Sequence, residues 1–196
     1  MKRNHIRKIT ITAIFAAIST VLMFWSFSVP FVPSYLKIDF SDLPALLASF
    51  SLGPLCGVAV SFVKNAINVF FSTTGAIGEV SNFLISSFFV FTAGLVYKKN
   101  KTKKGALIGS CLGILTATFL SVFTNTYLVY PVYTSLYGLD VIVNMSKAII
   151  PSIDSVFEII LIFNTPFTFV KGILNTLLAF LLYKKLSPII QTGKIR

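Results

Sequence analysis

Acidic side chains are scarce in this sequence. Six Asp and Glu stand against seventeen Lys and Arg, and together they make up only 12 % of 196 residues, about half of the roughly 25 % usual in a soluble domain. A soluble fold is thereby excluded, because it needs polar side chains to cover its surface. Histidine is almost missing: His5 precedes the first apolar run, which leaves nothing for a histidine base or a histidine-rich metal site. Two cysteines, Cys56 and Cys111, both lie in apolar runs; they exclude a disulfide framework and a redox motif and read as packing residues. A Gly-x4-Gly-Lys-Ser/Thr phosphate loop is also missing, so uphill work would need a partner or an ion gradient. Catalysis by this chain alone is not expected, and neither cofactor nor metal is implied.

What is abundant is apolar: 55 % of the residues, with twenty Phe. Such a chain suits an exterior that faces lipid, and its length suits a single domain. The net charge of +11 would, in a soluble protein, suggest nucleic acid. Its distribution argues otherwise. Thirteen of the basic residues form three acid-free clusters, Lys2, Arg3, Arg7, Lys8; Lys98, Lys99, Lys101, Lys103, Lys104; and Lys184, Lys185, Lys194, Arg196. Short basic segments flanking apolar runs mark the cytoplasmic side of a membrane, so no nucleic-acid partner is expected.

With the N-terminus and the 98–104 loop both inside, an even number of spans lies between them. Run 9–28 is one; it is long enough to cross the hydrocarbon core and reads as an uncleaved span. Gly53-Pro54 breaks the next apolar stretch, since proline ends a helix, dividing it into 42–52 and 54–71. The eleven-residue piece reaches only about 16 Å as a helix and must be sheltered by neighbouring helices. Segments 78–97, 105–130 and 166–186 complete an all-α bundle of six transmembrane segments, both termini cytoplasmic. Thr165-Pro166 reads as a helix start. Stretch 141–163, with Lys147, Pro151, Asp154 and Glu158, reads as external or interfacial, because a seventh span would invert the C-terminal cluster. Tyr35, Tyr127, Tyr130, Tyr133 and Tyr137 read as an outer aromatic belt.

Polar residues inside such a bundle are costly and mark interior or ligand-facing sites. Thr168, Lys171 and Asn175 share one helical face, as do Ser61, Lys64, Asn65 and Asn68, and Glu79, Asn82 and Ser86. Gly105, Gly109, Gly113, Ala117 and Ser121 form a small-residue stripe for close helix approach, and the next step is Asn125. Lys171, Glu79, Asn125 and the loop 30–41 converge toward one end, as a small-molecule pocket would require. The competing reading pairs Lys64 or Lys171 with Glu79 or another outer acid purely for stability, while Asp39 and Asp42, beside a helix start, read as capping residues.

Read in order, Pro33-Ser-Tyr-Leu-Lys-Ile-Asp-Phe-Ser-Asp-Leu-Pro44, Leu52-Gly-Pro-Leu-Cys-Gly57, Lys64-Asn65, Ser72-Thr-Thr-Gly-Ala-Ile-Gly-Glu79, Asn82-Phe83 and Pro166-Phe-Thr-Phe-Val-Lys-Gly172 resemble the riboflavin-specific substrate-binding (S) components of energy-coupling factor (ECF) vitamin transporters. The resemblance runs through nearly the whole chain. It implies a riboflavin binder that docks on a transmembrane coupling protein and two ABC ATPases, with Ala13 and Ala17 matching the Ala-x-x-x-Ala coupling surface. It also implies that Asn125 and Lys171 hold the flavin ring. Thr168 replaces an expected Asn, with Asn164 one turn earlier as a substitute amide, and Glu79 with Leu36, Lys37, Ile38 and Asp39 are implied for the ribityl hydroxyls. Other readings are an S component for FMN or another flavin-like vitamin, a non-transport membrane scaffold, and a self-sufficient secondary transporter.

Overall fold

A computed structural model describes residues 2–72 and 75–191. Lys194 and Arg196 of the third basic cluster, and Thr73 and Thr74, lie outside the described residues, as do the side chains of residues 2–3 and 183–191. The described chain is helical apart from one short ribbon. Helix α1 (Lys2–Phe24) leads into strands β1 (Phe27–Ser28) and β2 (Lys37–Ile38), which pair antiparallel with Phe27 opposite Ile38 and Ser28 opposite Lys37. Then come α2 (Asp42–Leu52), α3 (Pro54–Asn68, prolonged by a 3-10 turn to Phe71), α4 (Ile77–Lys99) and α5 (Lys103–Thr124). A π-helical turn, Asn125–Val129, joins α5 to α6 (Tyr130–Tyr137). After α7 (Leu139–Lys147), α8 (Val156–Ile159) runs through a second π-helical turn, Ile160–Asn164, into α9 (Thr165–Gln191).

Five of these helical rods are long and apolar enough to cross a membrane: Asn4–Phe24, Pro54–Phe71, Ile77–Lys99, Lys103–Tyr137 and Val156–Leu182. Their outward faces are apolar, as lipid requires: Ile14, Val21, Leu112, Leu115, Phe119 and Leu181 are all exposed. Cys111, expected to pack, is exposed too, whereas Cys56 is buried.

The short α2 is the centre of the bundle. Residues 42–49 are all buried, and α2 packs on α1, α3, α4 and α9, the shelter that an eleven-residue helix needs at membrane depth. Gly53 makes the break from α3 with φ +109°, a backbone region that side chains other than glycine's rarely adopt, and Pro54 follows at the first position of α3. Helices α4 and α5 approach closely along the small-residue stripe. A Cβ on Gly109 would lie 2.6 Å from the Ala93 carbonyl oxygen, and one on Gly113 2.6 Å from that of Phe89.

The rods of the C-terminal half run further than expected. Helix α9 begins at Thr165, but the rod that contains it begins at Val156, because Ser155 and Glu158 form a capping box: the Ser155 side chain accepts from the Glu158 backbone N–H at 3.2 Å while Glu158 accepts from that of Ser155. Ser-x-x-Glu is a helix-start pattern, and in the expected external stretch 141–163 it was concealed by the polarity of its own residues. The helix then survives Pro166 because the wider π-turn just before it relieves the clash that a proline ring makes with the carbonyl four residues earlier. The Thr165 hydroxyl donates to the Ile160 carbonyl, five residues back, at 2.9 Å. Pro131 stands in the same relation to the other π-turn, which carries the rod that begins at Lys103 past 130 to Tyr137.

Candidate functional site

A cavity of about 630 Å³ lies within the 300–1,000 Å³ range of small-molecule sites. Its lining comes from the C-terminal parts of α1, α3 and α5, the start of α2, the N-terminal parts of α4 and α9, the two π-turns, α6, α7 and the 26–39 loop, so it sits at the end of the bundle away from Lys98–Lys104. Phe24, Phe71, Phe89, Phe167, Ile85 and Ile114 give it an apolar body. Leu36, Lys37, Asp39, Glu79, Asn125, Asn164, Thr168 and Lys171 all line it. Ile38 does not: on a strand, neighbouring side chains point to opposite faces, and Ile38 is buried on the side away from the cavity-lining Lys37.

The two buried cations, Lys171 in the wall and Lys64 beside it, are held by acids. Lys171 Nζ lies 2.7 Å from Asp39 Oδ2 and 3.9 Å from Asp42 Oδ2; Lys64, fully buried, pairs with Asp42 Oδ1 at 2.5 Å and donates to the Ser41 hydroxyl at 2.6 Å. Ser41 donates to Asp39 through its backbone N–H at 2.9 Å and through its hydroxyl, and its carbonyl accepts from Ser19 of α1. Ser86 donates to Asp42 at 2.5 Å. Asn175 donates to the Asp39 carbonyl at 3.2 Å. Two ammonium groups and two carboxylates thus form one compensated cluster, which satisfies the demand that buried charges be paired. The capping role expected for Asp39 and Asp42 is replaced by ion pairing, and the acids that hold Lys64 and Lys171 are these two rather than Glu79. Glu79 instead accepts from the Ser72 hydroxyl at 2.7 Å.

A second network joins the two π-turns. Asn125 opens one and Asn164 closes the other, and Asn164 Nδ2 donates to Asn125 Oδ1 at 2.9 Å. Tyr130 donates to Asn164 Oδ1 at 2.9 Å, and Tyr35 lies 2.9 Å from Tyr130 through the two hydroxyls. Burial pushes the Tyr35 phenol above its ordinary pKa, so it is a neutral hydroxyl at physiological pH. Thr168 donates to the Asn164 carbonyl at 2.9 Å and leaves only acceptor capacity toward the cavity. Tyr130 and Tyr133, expected in an outer aromatic belt, are buried at 2 % and 7 % exposure, whereas Tyr127 and Tyr137 are exposed. The signal that separates Tyr130 from a belt residue is its place beside Pro131, where the π-turn rotates it inward. Ala13 and Ala17 are both exposed on α1, far along that helix from the cavity-lining Met23 and Phe24.

A cavity of this size with an apolar body and a few convergent polar groups, among them two amides and an ammonium, suits a small molecule. Residues 7–183 match the family described as the substrate-specific component of ECF transporters. The chain is similar to the riboflavin transporter RibU of Staphylococcus aureus (strain TCH60), with 36 % identity over 95 % of this chain and 93 % of the relative. It is similar also to the riboflavin transporter FmnP of Bacillus subtilis (strain 168), with 31 % identity over 95 % of each. A solved structure of the S component of a bacterial ECF transporter superimposes with a TM-score of 0.76 at 30 % identity, covering 95 % of this chain and 99 % of that one.

Proposed function

The chain belongs to the substrate-specific component family of ECF transporters, and from that membership and the cavity we infer that it is a riboflavin-binding transporter subunit. The observation that carries this reading is a pocket whose apolar body ends on two amides and an ammonium. The tricyclic ring of riboflavin offers flat apolar faces to Phe89, Phe167 and the aliphatic lining. Its pyrimidine edge, two carbonyls flanking an imide N–H, needs a donor and an acceptor side by side, which Asn125, supported by Asn164, and Lys171 supply. The ribityl hydroxyls are assigned to Glu79, Leu36, Lys37 and Asp39, and Thr168 offers an acceptor.

The chain is a subunit that binds substrate rather than an enzyme. In this reading it has six membrane segments, α2 being the short one, and both ends are cytoplasmic in a bacterial cell membrane. The cavity then faces outward, since the basic Lys98–Lys104 loop lies at the opposite end. Riboflavin captured outside is released inside when the subunit docks on a membrane coupling protein and two ABC ATPases; the exposed Ala13 and Ala17 give α1 a small-residue face suited to that contact.

The test is a visible absorption spectrum of the purified protein followed by titration of the flavin-free form. Flavin bands and a riboflavin affinity at or below about micromolar, typical of small-molecule capture, are expected. A clean titration without binding would sink the reading. FMN that competes as strongly as riboflavin would displace it in favour of a phosphorylated substrate.

A further inference from the structure

The hydrogen-bond chain through the two π-turns has only one self-consistent direction, and its terminal acceptor fixes it. Asn125 lies 2.7 Å from the backbone carbonyl of Ser121. A carbonyl can only accept, so the Asn125 amide nitrogen must be there and its oxygen must face Asn164. That oxygen needs a donor, so Asn164 turns its NH2 to Asn125 and its oxygen to Tyr130. The single Tyr130 proton goes to Asn164, which makes Tyr35 the donor in the Tyr35–Tyr130 contact. The order is therefore Tyr35 to Tyr130 to Asn164 to Asn125 to the Ser121 carbonyl.

We propose that this relay makes Tyr35, Tyr130 and Asn164 positioning residues that lock the Asn125 amide in the orientation the Ser121 carbonyl selects, and with it selectivity for an imide edge. The inference rests on the riboflavin reading above. With its orientation locked, Asn125 has one N–H and one oxygen lone pair left for the cavity it lines. That adjacent donor and acceptor match a ligand carbonyl beside an imide N–H, and they reject an edge whose N–H is blocked. Without the relay Asn164 is free to turn its own amide, the Asn125 oxygen loses its fixed donor, and the Ser121 carbonyl alone holds the present orientation, so the lock weakens. Tyr35 comes from the loop between the two β-strands and Asn164 from the last membrane rod, so elements far apart in sequence meet on this one amide.

The experiment compares affinities for riboflavin and for 3-methylriboflavin, which keeps both carbonyls but has no imide N–H, in wild type, Tyr35→Phe and Tyr130→Phe, followed by quenching of flavin fluorescence. Wild type is expected to prefer riboflavin, and the preference ratio should fall about tenfold in Tyr130→Phe and about threefold in Tyr35→Phe, as loss of one or more net hydrogen bonds implies. A loss of structure alone weakens both ligands and leaves the ratio unmoved. Should Tyr130→Phe fail to fold, Tyr35→Phe decides, because Tyr35 is only half-buried and on a loop. A wild-type protein that binds riboflavin, with the ratio unchanged in the folded variants, would overturn the relay and leave the riboflavin reading standing. A wild type that binds no flavin would overturn both.

Discussion

Replacing Lys171 by Met separates a ligand-binding role from a structural one, provided it is made both alone and together with Asp39→Asn. Alone, the substitution leaves the Asp39 carboxylate, only 5 % exposed, without the ammonium 2.7 Å away. Breaking a buried ion pair costs about 3–5 kcal/mol; the low end applies here, because Ser41 keeps two hydrogen bonds to that carboxylate. The double variant removes the orphaned charge and should return to within about 1 kcal/mol of wild type, since replacing both members of a buried pair is often nearly neutral. Affinity should behave differently. If the ammonium also bonds a flavin carbonyl, its loss costs about 1.5–3 kcal/mol, roughly ten- to hundredfold in Kd, in the single and double variants alike. Thermal unfolding in detergent reads the first quantity and fluorescence titration with riboflavin the second. If the double variant recovers affinity together with stability, Lys171 serves only to neutralise Asp39 and does not touch the ligand.

The close approach of α4 and α5 makes Gly109→Ala and Gly113→Ala destabilising by about 1–3 kcal/mol each, because each new Cβ meets a carbonyl oxygen at 2.6 Å; melting temperatures of the two variants in detergent check this. Large side chains at Ala13 and Ala17, both exposed, should leave riboflavin titrations unchanged while abolishing ATP-driven uptake in vesicles that contain the coupling module. Uptake that persists would remove α1 from the docking surface.

The legibility of the sequence divides along physical lines. Local rules carried far: Gly53-Pro54 announces the break between α2 and α3, and the four-residue spacing of Gly105, Gly109 and Gly113 announces a tight helix contact. The polar stripes on α3, α4 and α9 were readable from helical periodicity, and Asn68, Glu79, Asn82, Ser86, Thr168 and Lys171 from them line the cavity. Pairing was not readable. Lys171 and Asp39 are 132 positions apart, and nothing in helical spacing says that Lys171 takes Asp39 while Lys64 takes Asp42. The π-turns were hidden for another reason. Proline is most often met at a helix start, so Thr165-Pro166 suggested an end to what came before. It was the capping box at Ser155 and the wider turn at Ile160–Asn164 that kept the rod continuous. The same misreading concealed why Asn125 and Asn164 meet: each occupies the irregular turn of its own rod, where a side chain can leave the helical register.

The compensation of charge in the cavity wall constrains the ligand more than any single contact does. The chain carries +11, yet the two cations buried beside the cavity are each held by a carboxylate within 2.7 Å, so the cluster of Lys64, Lys171, Asp39 and Asp42 is formally neutral. A neutral riboflavin enters it without disturbing those pairs; Lys171 can offer a remaining N–H to a carbonyl while Asp39 keeps its own bond. A phosphorylated flavin would bring about −1.5 to −2 charge into a wall whose ammonium groups are already engaged, beside Asp39, Asp42 and Glu79, and desolvating that charge without a free cation is costly. Lys37, exposed at the rim, is too solvated to offset it. The excess positive charge therefore marks the opposite end of the bundle, and the binding end selects by hydrogen-bond pattern and shape.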